Sequence, residues 1–121
     1  MLDDILRLNK LYDFYGNLLT ENQKNSFKLY YLYDYSLNEI AEELNISKQG
    51  VSDNIKRASR NLENFEANLK LVDRFENTYE HVESMKQEIN DLLKLSNDDE
   101  IDLRLKKLLN YADIILKDQE V

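Results

Sequence analysis

The chain has 121 residues, 42% apolar and 33% charged, the balance of a small soluble domain rather than a disordered tail or a membrane protein. Two Gly and no Pro leave almost nothing to punctuate strands and tight turns, which argues for long uninterrupted helices and against an all-β or Rossmann-like fold. The net charge of −8 divides into −4 over residues 1–46, +3 over 47–60 and −7 over 61–121, so a general polyanion binder with widely spread positive charge is excluded.

In chain order, Leu2, Ile5, Leu6, Leu8, Leu11, Tyr12, Phe14 and Tyr15 recur at helical spacing, and Gly16 follows as a glycine C-terminal stop. Thr20 with Gln23 three residues on makes a capping box, from which a second helix carries Phe27, Tyr30, Tyr31 and Tyr33 toward the core and ends near Asp34. Ser36 with Glu39 repeats the box and opens a short third helix, Leu37 to Leu44, which Asn45 closes in a left-handed conformation. Ser47 caps a fourth. From Ile55 an apolar seam runs through Ala58, Leu62, Phe65, Leu69, Val72, Phe75, Tyr79, Val82, Met85, Ile89 and Leu92 in steps of three and four, with two phase slips. An unbroken helix from Lys48 to Leu95 would be roughly 70 Å long at ~1.5 Å per residue, so a break is predicted between Asn68 and Asp73. Ser96 to Glu100 starts a last helix, carried by Ile101, Leu105, Leu108, Ala112 and Ile115.

Ile40, Ala41, Leu44, Ile46 and Val51 have the spacing of a helix-turn-helix: a small Ala41 where two helices approach, and apolar residues on both sides of the turn. On a wheel of about 100° per residue, Val51, Ile55, Ala58 and Leu62 form a buried stripe, while Lys56, Arg57 and Arg60 share the opposite face. That face suits a major groove, with Lys48, Lys56, Arg57 and Arg60 on phosphates and Gln49, Ser52 and Asn54 as candidates for base edges or backbone, and the cap Ser47 joins them among the expected nucleic-acid-binding residues. The competing reading is a solvated helix face laced by pairs such as Asp53 with Arg57. Four cations give only a weak electrostatic term, so useful affinity for duplex DNA requires a dimer or a second surface.

The run Leu11-Tyr12-Asp13-Phe14-Tyr15, Leu18-Leu19-Thr20, Gln23, Tyr30-Tyr31-Leu32, Asp34-Tyr35-Ser36-Leu37, Glu39 to Glu43, Ile46 to Gln49 and Asp53 to Arg57 resembles the YlxM-like family of small bacterial proteins. The segment from Leu19 to Leu62 also resembles region four of bacterial sigma factors. The resemblance implies a helix-turn-helix regulator. Genes of the family tend to lie beside that of the signal recognition particle GTPase, which implies a role in that pathway. Gly50 and Ser52 stand where the family usually has Ala and Tyr, and a Gly early in a helix costs about 1 kcal/mol relative to Ala.

Other chemistries find little support. His81 is the only histidine, on an acidic helix without convergent donors, and no metal site or cofactor is expected. Absence of Cys removes disulfides, thiolate metal sites and a cysteine nucleophile, and no glycine-rich phosphate loop or Ser-His-Asp spacing is present, so no enzyme is expected. Asp3 and Asp4 stand where a signal peptide would be positive, and no apolar run reaches bilayer length, so a cytoplasmic protein without membrane contact is expected. The sequence thus predicts an all-α protein. A sigma region four-like domain over residues 1–66, with the helix-turn-helix at about 37–60, precedes a helical segment, 67–121, that mediates homodimerisation. The function it favours is DNA-binding regulation. The alternative is a protein-interaction module that modulates the signal recognition particle machinery without binding DNA.

Overall fold

A computed structural model describes residues 2–119. Six α-helices and no strand occur among the described residues, in the order α1 (Leu2–Tyr15), α2 (Glu21–Phe27), α3 (Leu37–Leu44), α4 (Lys48–Leu69), α5 (Leu71–Leu95) and α6 (Asp99–Asp118). The chain divides into two compact units, Met1–Val72 and Asp73–Val121.

In the first unit, local signals set the helix ends. The Thr20 hydroxyl accepts from the Gln23 N–H at 3.2 Å while Gln23 Oε1 accepts from the Thr20 N–H at 3.3 Å. Ser36 and Glu39 repeat the exchange at 3.1 and 2.9 Å, and Asn45 closes α3 at φ 56°, as its sequence position predicts. α1 stops at Tyr15, directly before Gly16 as expected, but the glycine's φ is not positive and the chain runs on into a 3₁₀ turn, Gly16–Leu18. A Cβ at residue 16 would stand 3.0 Å from the Tyr12 ring, which is stacked on Phe27 with centroids 5.0 Å apart. The glycine makes room for an aromatic ring.

The second predicted helix is also corrected. After α2 the chain widens into a π-helical turn, Lys28–Leu32, in which the Tyr33 N–H reaches back to the Lys28 carbonyl at 3.1 Å. The extra residue per turn shifts the phase of everything beyond it. Phe27, before the turn, is fully buried and Tyr31 half-buried, whereas Tyr30 and Tyr33, expected in the core, are exposed.

Two apolar clusters fill this unit. One joins Leu11, Tyr15, Leu19, Phe27, Ala58, Leu62 and Val72, and the other joins Ile40, Val51 and Ile55 beneath the α3–α4 corner. The predicted break in the long seam falls at Lys70, at φ 56°. The first unit runs through Val72, and the first residues of α5 are held by α1 and α4. The buried Tyr15 hydroxyl donates to Glu66 Oε1 at 2.6 Å and accepts from the Leu71 N–H at 3.0 Å, and the same Glu66 oxygen accepts from the Val72 N–H at 3.1 Å.

Burial, above all, raises the Tyr12, Tyr15 and Tyr31 phenols above their ordinary value of 10.0; the bond to Glu66 adds to the effect at Tyr15. Below pH 10 folded and unfolded chains both keep these protons. Above it the unfolded chain releases them first, so the folded state binds more protons and stability falls as pH rises through the folded values, by up to ~1.4 kcal/mol per pH unit per phenol. Urea midpoints are expected to show no contribution from these phenols below pH 10 and to fall above it, with tyrosinate absorbance rising as the helices melt.

The second unit is an antiparallel pair formed by residues 73–95 of α5 and by α6. Val82 packs with Ala112 and Leu116, and Lys86 pairs with Asp113 at 2.8 Å. Asp98, as expected for the start of the last helix, caps α6 by accepting from the Glu100 and Ile101 N–H groups at 2.8 and 3.2 Å. No helix among the described residues is long and apolar enough to cross a membrane.

Candidate nucleic-acid interface

The α3–α4 corner is built from the five positions the sequence marks. Ile40 and Val51 are fully buried against Ile55, and Ala41, Leu44 and Ile46 pack half-buried around them. The Ser47 hydroxyl accepts from the Gly50 N–H at 2.9 Å, which satisfies an otherwise orphaned donor at the start of α4. Ala41 lies where the two helices meet, so Ala41→Leu is expected to cost about 1–3 kcal/mol by overpacking, read as a lower melting temperature. An unchanged melting temperature would remove the main geometric support for this corner.

Beyond the corner, Val51, Ile55, Ala58 and Leu62 turn inward along α4. Ser47, Lys48, Gln49, Lys56, Arg57 and Arg60 are exposed, and Ser52 and Asn54 are half-exposed. Among the described residues no hydrogen bond, ion pair or ring contact engages the side chains of Lys48, Lys56, Arg57 or Arg60. Asp53, weighed against Arg57 as an i, i+4 pair, instead accepts from Gln49 Nε2 at 3.0 Å. That bond turns the carboxylate toward the N-terminal end of α4 and occupies one Gln49 donor. Asn54 points elsewhere, donating to the buried Ser26 hydroxyl on α2 at 3.5 Å.

Three anchors of α4 escape a sequence reading. Asn61 donates to Gln23 Oε1 at 3.3 Å, so the amide that caps α2 also ties α4 to it. Arg7 on α1 forms a two-pronged pair with Glu63 at 2.9 and 2.8 Å. Tyr15 and Glu66 complete the set. Their partners lie tens of residues apart, and no local pattern couples them. The outer face of α3 has the opposite character from α4, since Tyr35, Glu39, Glu42 and Glu43 line an open pocket of about 440 Å³. The Ser36 backbone N–H, and secondarily its hydroxyl, holds the Glu39 carboxyl below the usual carboxylate range.

Residues 2–109 match the model of the UPF0122 family, described as "Putative helix-turn-helix protein, YlxM / p13 like". A UPF0122 protein of Halalkalibacterium halodurans is 49% identical over 90 residues, covering 74% of this chain and 83% of the relative. One from Thermoanaerobacter is 48% identical over 101 residues, covering 84% of this chain and 86% of its own length. Another from Staphylococcus epidermidis is 50% identical over 91 residues, covering 74% and 83%.

Proposed function

The chain belongs to the UPF0122 family, and from that premise we propose that it is a DNA-binding regulatory protein that lays α4 in a major groove and acts as a homodimer. The observation that carries this reading is the set of four cations, Lys48, Lys56, Arg57 and Arg60, left unpaired on one helix of an otherwise acidic chain. They serve as phosphate contacts. Gln49 and Ser52 are the candidates for base edges, and Ser47 offers a hydroxyl to a phosphate beside the helix start. Asn54, bonded to Ser26, takes the backbone role of holding α4 on α2. Four charges per chain are a weak handle, and two copies of α4 in one assembly double it.

The test is a salt titration of binding to random duplex DNA. A slope of about −0.9 per phosphate neutralised corresponds to roughly −3.6 per chain if all four cations make contact. Absence of binding at low salt would overturn the reading.

The acidic face of α3 favours a second reading, in which Glu39, Glu42 and Glu43 meet a basic surface of the signal recognition particle machinery. Capture of the particle's GTPase by the protein, lost when Glu42 and Glu43 become Lys, is its expected result; capture that survives the change counts against it.

A further inference from the structure

The antiparallel pair in the second unit leaves one of its own faces uncovered. Only Val82, Ala112 and Leu116 form its buried cluster, whereas Met85, Leu92, Ile101, Leu108, Tyr111 and Ile115 are each between 42% and 61% exposed. Ile101, Leu108 and Ile115 recur every seven residues, as do Met85 and Leu92, so each helix carries a second stripe beside its inward one.

The two stripes lie on the same side of the pair. Measured from the inward Val82, Lys86 sits about 40° one way around α5 and Met85 and Leu92 about 60–80° the other. Measured from the inward Leu105, Asp113 sits about 80° one way around α6 and Ile101, Leu108 and Ile115 about 40–80° the other. Because Lys86 and Asp113 touch at 2.8 Å, those two define one side and the apolar stripes share the opposite one. An apolar cleft of about 500 Å³ at the closed end, lined by Leu92, Leu95, Ile101 and Leu105, joins the stripes directly.

We infer that this face, Met85 and Leu92 of α5 with Ile101, Leu108, Tyr111 and Ile115 of α6, is the seat of a second copy of the chain, closing a four-helix bundle about a two-fold axis. The inference deepens the homodimer of the proposed function and is independent of DNA binding. Two features select a second copy. The face is roughly 21 Å long on α6, about 10 Å on α5 and about 20 Å wide, roughly 300–400 Å² in plan before side-chain relief is added, about half of the ~800 Å² per partner of a stable pair. Its edges also carry charges that can pair: Glu88 borders the α5 stripe, and Arg104 and Lys107 border the middle of the α6 stripe, between Glu100 and Asp118 at its ends. Arg104 reaches Glu100 at 3.3 Å on the surface, a contact that exposure makes weak. A two-fold axis parallel to the helices sets the acidic edge of one copy over the basic edge of its partner, whereas an axis across the helices would set like edges together.

Sedimentation equilibrium of the full chain at tens of micromolar and moderate salt tests this. The parent is expected to sediment as two copies, and Leu108→Glu is expected to weaken the pair at least about tenfold, with helicity unchanged by circular dichroism. Because a charge at residue 108 could also disturb the fold, exposed edge residues supply a second probe. Glu88→Lys alone and the double variant Arg104→Glu with Lys107→Glu alone should each pair poorly, and a mixture of the two should form the mixed dimer. A monomeric parent overturns the inference. A dimer indifferent to Leu108→Glu and to the edge changes overturns this face while leaving the homodimer standing, and the salt titration of DNA binding reports separately on α4.

Discussion

Replacing Lys56, Arg57 and Arg60 together by Ala is expected to weaken binding to random duplex DNA on the order of 10²–10³-fold per chain engaged near 0.1 M salt, and to reduce the salt slope by about 2.7 per chain. The reason is arithmetic. Residues 1–46 and 61–121 carry net charges of −4 and −7, so the +3 window holding α4's cations is the one of the three with a net attraction for a duplex. None of the three cations supports the fold, since all are exposed and unpaired, and Ala is a strong helix former. Circular dichroism should therefore match the parent. Undiminished affinity in a folded triple variant would place the nucleic-acid surface away from α4, and loss of helicity would show that these side chains do structural work.

Glu66→Ala is expected to cost about 2–4 kcal/mol, the largest effect on stability of a single polar side chain in the first unit. The α5 helix begins without a cap of its own: Lys70, the residue before it, has no oxygen to offer the first N–H groups. Glu66 supplies one by accepting from the Val72 N–H, and it orients Tyr15, whose hydroxyl accepts from the Leu71 N–H. Removing the carboxylate leaves a fully buried phenol donor and a helix-terminal N–H without their partner. Glu66→Gln, which keeps an acceptor, should cost less. In a double-mutant cycle with Tyr15→Phe the two changes should be far from additive. Urea unfolding followed by circular dichroism measures all of these, and a cost for Glu66→Ala within experimental error of zero would show that α5 needs no such cap.

The features legible in the sequence are those whose partners lie within about four residues. Thr20 and Gln23, Ser36 and Glu39, Asn45, Ser47 and Asp98 each act on their own helix end, so the boundaries of α3 and the starts of α2, α4 and α6 follow from residue type and spacing. The inward stripe of α4 follows for the same reason, since helical periodicity is local. Tertiary structure decided the rest. The π-helical turn at Lys28–Leu32 puts Tyr30 at the surface although its three-residue spacing from the buried Phe27 is that of a shared helix face. Asn54 has the chemistry of a base reader, yet Ser26, 28 residues away, takes its amide. The cap of α5 comes from side chains on α1 and α4, and the Asp53 carboxylate goes to Gln49 rather than Arg57. A sequence states which groups need partners and which faces are apolar. When several partners of similar chemistry are available, the choice belongs to the distances that packing creates.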